Sequence, residues 1–112
     1  MTGEPSEKRA DPIWFAKPLS SVISNGGKVP YTQEGNLHHE VELGLLWGKS
    51  VRNLNEGDNW KSMIKGIFVG IDFTDRLYQN RAKEISAPWT LSKGQDCFSG
   101  VSDIHTGPID DY

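Results

Sequence analysis

The stretch Leu37-His38-His39-Glu40-Val41-Glu42-Leu43-Gly44 constrains this chain more than any other. Val41, Leu43 and Leu45 alternate with Glu40, Glu42 and Gly44. A period of two is the signature of a strand, because successive side chains leave opposite faces. Both glutamates therefore share one face, and the apolar set is expected to fill the other. Carboxylates side by side repel, and open water or a bound cation must offset that cost. From spacing alone, Glu-Val-Glu on an edge strand is more often solvated surface than a site.

The rest of the chain reads as strands, turns and short helices. Residues 1–11 carry no hydrophobic pattern and read as a mobile tail. Ile13-Trp14-Phe15-Ala16 reads as a short strand ended by Lys17-Pro18, and Lys28-Val29-Pro30-Tyr31 as an edge strand. The opening strand runs to about Trp47. Trp60, Met63 and Ile64 fall at helical spacing within Asp58–Lys65, with Gly66 as the stop. Ile67-Phe68-Val69-Gly70-Ile71 is a continuous apolar run, expected as a buried strand with Asp72 at its end. Thr74 or Asp75 caps a short helix that Ala87-Pro88-Trp89 ends. Thr90–Lys93 is expected to be extended. The fold class is mostly β with short helices, α+β.

Charge and cysteine content exclude several functions. The 12 basic and 15 acidic residues give a net charge of −3, and no Lys/Arg cluster is interleaved with aromatics, so nucleic acid is not an expected partner. No apolar run is long enough to span a bilayer, so neither is a membrane. The single Cys97 excludes an internal disulfide and suits a reducing compartment. Met1–Lys8 is polar and partly acidic, unlike a signal or transit peptide, so the cytoplasm is the expected location.

Four residues carry the strongest chemical pattern: Glu40, Glu42, Asp72 and Lys93. Three carboxylates form a hard-oxygen set suited to Mg²⁺, Mn²⁺ or Ca²⁺ rather than Zn²⁺. Asp72 at the end of a buried strand needs a partner for its charge. Arg76 and Gln79 lie three apart and share a helix face, where Arg76 could hold a carboxylate or simply meet solvent. His38-x-Glu40 lacks the Pro-Cys-x-x-Cys half of a zinc deaminase motif, and Leu43 breaks His-Glu-x-x-His. His38 reads as a plain strand position.

These segments together resemble the fumarylacetoacetate hydrolase superfamily, most closely its acylpyruvase branch. The resemblance is carried by Phe15-Ala16-Lys17-Pro18, Asn36–Gly44, Gly70-Ile71-Asp72-Phe73-Thr74-Asp75-Arg76 and Pro88-Trp89-Thr90-Leu91-Ser92-Lys93. It covers roughly residues 12–100, which it implies to be part of a catalytic domain of mixed β-sandwich or roll type. Residues 101–112 read as an unrelated polar tail. The family's metal ligands match Glu40, Glu42 and Asp72, its active-site lysine Lys93, and its substrate-positioning residues Arg76 and Gln79. The resemblance implies Mg²⁺ or Mn²⁺ as cofactor and a small 2-keto acid as substrate, with a second copy of the chain as partner. The implied reaction is hydrolysis of the C–C bond of acylpyruvates to pyruvate and a carboxylate. Oxaloacetate decarboxylation or tautomerisation is the alternative, as is a non-catalytic homologue that binds metal or a full-length subunit.

The sequence departs from that family in places. A His/Glu pair that activates water precedes the Phe-x-Lys-Pro segment in relatives, and residues 1–11 contain no histidine. Relatives also continue well beyond the lysine, so the chain is expected to be truncated at both ends. Leu77 stands in place of an acidic residue, Gln95 in place of an aromatic, and Ser99-Gly100 in place of Cys-Pro.

Overall fold

The computed structural model describes residues 11–30 and 35–109. Residues 1–10 of the expected N-terminal tail, Tyr31 of the expected edge strand and residues 110–112 of the expected C-terminal tail lie outside them.

Two long strands dominate. Strand β2, Leu37–Trp47, pairs antiparallel with β3, Ile64–Asp75, from Leu37↔Asp75 to Trp47↔Ile64, with an irregularity between Leu46 and Trp47. Two short strands lie on the other side of β3: β4, Ser99–Val101, and β5, His105–Thr106, both antiparallel to it. Strand β1, Val22–Ile23, adds parallel to β4. The sheet order is β1-β4-β3-β2, with β5 on β3. Helix α1, Arg76–Glu84, follows β3 directly, and the single turn α2, Thr90–Lys93, packs near it. A mixed sheet with short helices is the architecture the sequence pattern implies.

Several local expectations are corrected. Ile13–Ala16 forms no strand among the described residues, and Ile13 and Trp14 are exposed. Lys28–Pro30 pairs with no strand among the described residues. The expected helix over Asp58–Lys65 is a 3-10 turn, Trp60–Met63, because Ile64 and Lys65 already belong to β3. Gly66 is no helix stop. It sits in β3 where β5 crosses closely: a Cβ there would lie 2.7 Å from the His105 carbonyl oxygen. Thr90–Lys93 is helical rather than extended, with Lys93 N–H donating to Trp89 C=O. A turn of helix buries the adjacent Ser92 and Lys93 together, which a strand would send to opposite faces. Of the expected polar tail 101–112, Val101 completes β4 and His105–Thr106 forms β5.

The distribution of burial is unusual. Among the described residues the buried apolar side chains are Ile64, Ala82 and Phe98, whereas Ser21, Asp72, Thr74, Asp75, Gln79, Ser92 and Lys93 are also buried. The apolar face of β2 does not fill a core: Val41 is 69% and Leu43 71% exposed, beside the half-exposed Val69 opposite Leu43. Pairing with β3 along one edge of β2 bonds the backbone groups on that edge but covers neither face. No described layer lies over that one.

Candidate metal centre

The site is built on the other face of the same two strands. Glu40 and Asp72 are register partners across β2 and β3, and Glu42 stands opposite Gly70. Residues 38, 40 and 42 of β2 and 70, 72 and 74 of β3 therefore share this face. One carboxylate oxygen from each of Glu40, Glu42 and Asp72 can be chosen so that all three lie within 4.8 Å of one another. Asp72 is buried, Glu40 half-buried and Glu42 exposed, which leaves the cluster open on the Glu42 side. Converging carboxylate oxygens with no sulfur ligand suit a hard divalent cation such as Mg²⁺ or Mn²⁺.

Helix α2 supplies Lys93 from beneath. Its ammonium group donates to Asp72 Oδ2 at 2.6 Å, Thr74 Oγ1 at 2.7 Å and Glu40 Oε2 at 3.2 Å. These three acceptors match its three protons. The side chain is 2% exposed, and these partners offset the cost of burying an ammonium group. The Phe15 ring lies 4.9 Å from Lys93 Nζ and 5.6 Å from the Trp89 ring.

Helix α1 supplies Arg76 and Gln79. Asp75 caps it, accepting from Leu77 N–H at 3.0 Å and Tyr78 N–H at 3.3 Å, and this places Arg76 in the first turn above the glutamates. The Arg76 guanidinium donates to Glu40 Oε1 and to Gln79 Oε1, and its Nε donates to His38 Nδ1 at 3.1 Å. All six residues singled out in the sequence thus meet in one place.

Sequence reasoning passed over two members. His38, read as a plain strand position, accepts from Arg76. Its place two residues before Glu40 on the same face was the signal. Lys17 was noted only as part of Phe15–Pro18, yet its ammonium group donates to Asp72 Oδ1 and, at 3.1 Å, to Phe73 C=O. Burial pushes the Lys17 pKa below the usual lysine value. Its hydrogen bond and charge pairing with Asp72 oppose that shift, and the Lys93 charge adds to it.

Comparison with known proteins identifies the family. Residues 2–110 match the family model of the fumarylacetoacetate hydrolase C-terminal region. The chain is 41% identical over 96 residues to a mitochondrial oxaloacetate tautomerase of Arabidopsis thaliana, covering 84% of this chain and 42% of that protein. It is 37% identical over 99 residues to a mitochondrial oxaloacetate decarboxylase of Dictyostelium discoideum, covering 87% of this chain and 45% of the relative. The crystal structure of fumarylpyruvate hydrolase from Pseudomonas aeruginosa, in complex with Mn²⁺ and pyruvate, superposes with a TM-score of 0.78 at 28% identity. That match covers 89% of this chain and 45% of the other. The chain thus spans less than half the length of the relatives it matches. By this match along nearly its whole length, the chain belongs to the fumarylacetoacetate hydrolase family.

Proposed function

We propose that this chain carries the metal-binding half of a site for dianionic 2-keto acids, and that its reaction is the keto–enol tautomerisation of oxaloacetate, dependent on Mg²⁺ or Mn²⁺. The observation that carries this reading is the charge balance of the cluster. Glu40, Glu42 and Asp72 bring three negative charges, and Lys17, Lys93 and Arg76, each paired with Glu40 or Asp72, bring three positive ones. A divalent cation added to a neutral cluster leaves two positive charges. A dianion offsets both, whereas a monoanion such as acetylpyruvate offsets one.

Glu40, Glu42 and Asp72 would hold the ion, whose chemistry is to polarise the keto oxygen and stabilise enolate charge. Lys93 Nζ, an ammonium in this cluster, is the buried group that would donate a proton to the carbon beside the keto group as the enol ketonises, and would recover the proton lost by the enol hydroxyl. In that direction one proton leaves the enol oxygen and one is delivered to the carbon, with no net redox change. Arg76, released from Glu40, has the planar fork that grips a carboxylate, and Gln79 orients it. The named relatives that are oxaloacetate tautomerases and decarboxylases support this substrate.

The test is the absorbance decay of enol-oxaloacetate with and without Mg²⁺. Metal-dependent acceleration that is lost in Glu42→Ala is expected. An unaccelerated decay, or an unchanged rate in the variant, overturns the reading. A second reading, hydrolysis of acylpyruvates, is favoured by the fumarylpyruvate hydrolase holding Mn²⁺ and pyruvate. Pyruvate release from acetylpyruvate separates it, and pyruvate release from oxaloacetate reports decarboxylation. The mitochondrial relatives make the mitochondrion the compartment to weigh against the cytoplasm, by localising a tagged chain.

A further inference from the structure

We propose that Lys17 is a positioning residue of the metal centre, holding Asp72 by Oδ1 so that Oδ2 is kept on the side of Lys93 and Glu40. The inference rests on the metal-site reading above. Lys17 lies in a segment that pairs with no strand among the described residues, so no sheet register forces its amine toward Asp72. Placing a second ammonium group at a carboxylate that Lys93 already neutralises is costly, because its side chain is only 17% exposed. Charge balance at Asp72 alone does not require it.

What Lys17 adds is a fixed anchor. Its ammonium spans Asp72 Oδ1 and the Phe73 backbone carbonyl, and therefore ties the carboxylate to the main chain of β3. Lys93 holds the other oxygen from α2. Two donors from different parts of the chain, one on each oxygen, fix the carboxylate plane, which a single ammonium would leave free to turn. Phe15, two residues earlier, also reaches the site, with its ring 4.9 Å from Lys93 Nζ. Phe15 and Lys17 thus bring one short stretch of chain to both lysine–carboxylate contacts.

Orientation and charge predict opposite signs, and Mn²⁺ binding to the full chain, followed by the free Mn²⁺ resonance, separates them. Lys17→Met removes a positive charge and on electrostatics alone should tighten binding. Positioning predicts weakening by about tenfold, the usual consequence of removing an orienting partner of a metal ligand. Lys17→Gln, which keeps a donor for Asp72, is expected to recover most of that loss. Unchanged or tighter binding in Lys17→Met overturns the proposal. Glu42→Ala serves as the control: if it too leaves Mn²⁺ binding unchanged, the metal-site reading itself fails and Lys17 falls with it. Should the Lys17 variants not fold, side-chain NMR of the wild-type protein decides. The Lys17 ammonium signal is expected to move on Mg²⁺ addition with the midpoint of metal binding, and a signal that does not respond overturns the proposal.

Discussion

Glu40 and Asp72 face each other as register partners across β2 and β3, and one ammonium group, that of Lys93, donates to both. Like charges directly opposite on a sheet face destabilise it. Here Lys93, Lys17 and Arg76 surround the pair and cancel its charge along with that of Glu42. The carboxylate cluster is therefore assembled by the fold itself and does not wait for a cation.

Metal removal should accordingly leave the fold standing. Chelation with EDTA is expected to leave the far-UV circular dichroism unchanged. Mn²⁺ at a hundred times its dissociation constant should raise the unfolding free energy by about 2.7 kcal/mol, the mass-action value for one site. Urea unfolding at graded Mn²⁺ checks this. Collapse of the dichroism in EDTA would show that the three cations do not balance the cluster.

Lys93→Met should separate stability and turnover from metal affinity. The substitution removes donors to Asp72, Glu40 and Thr74 together, and breaking a buried ion pair costs about 3–5 kcal/mol. The low end is expected, because Lys17 still pairs with Asp72. Enol-oxaloacetate turnover should fall by about a hundredfold or more, the scale of losing a positioned proton donor. Mn²⁺ binding should weaken by only about tenfold, as in Lys17→Met, because Asp72 keeps one of its two anchors. Calorimetric titration with Mn²⁺ alongside the turnover assay separates the two effects.

The parts of this site that could be read in the sequence are those fixed by local pattern. Alternation around Val41 marked β2 and put Glu40 and Glu42 on one face, and an acidic residue before Arg76 marked the cap of α1. Lys17 escaped because its partner lies 55 residues away and nothing in Phe15–Pro18 reports that distance. The helical turn at Thr90–Lys93 escaped because it is one turn long, too short for periodicity to register. The exposed face of Val41 and Leu43 was misjudged for a different reason: alternation says which residues share a face, never whether anything covers it.

Arg76→Lys tests the guanidinium fork. Arg76 reaches His38, Glu40 and Gln79 at once, and a single ammonium cannot reproduce that planar geometry. Loss of one charge-assisted hydrogen bond to a substrate carboxylate should raise KM for oxaloacetate by about tenfold. The fall in kcat should be smaller, because Lys93 is untouched. A KM equal to that of the wild type would remove Arg76 from the substrate-binding set.

Gly44→Ala probes the strand that carries the glutamates. Gly44 pairs with Phe68 across β2 and β3, and a Cβ at position 44 would fall 2.2 Å from the tip of the Phe68 ring. The ring or the strand must move, and overpacking of this kind costs about 1–3 kcal/mol. Glu42 lies two residues away on the same face, so a displaced strand disturbs the metal ligands as well. Phe68→Leu shortens the obstructing side chain. In that background the added methyl should cost distinctly less, a coupling that urea midpoints on all four members of the cycle would measure. Equal costs in the two backgrounds would mean that Phe68 is not what keeps position 44 a glycine.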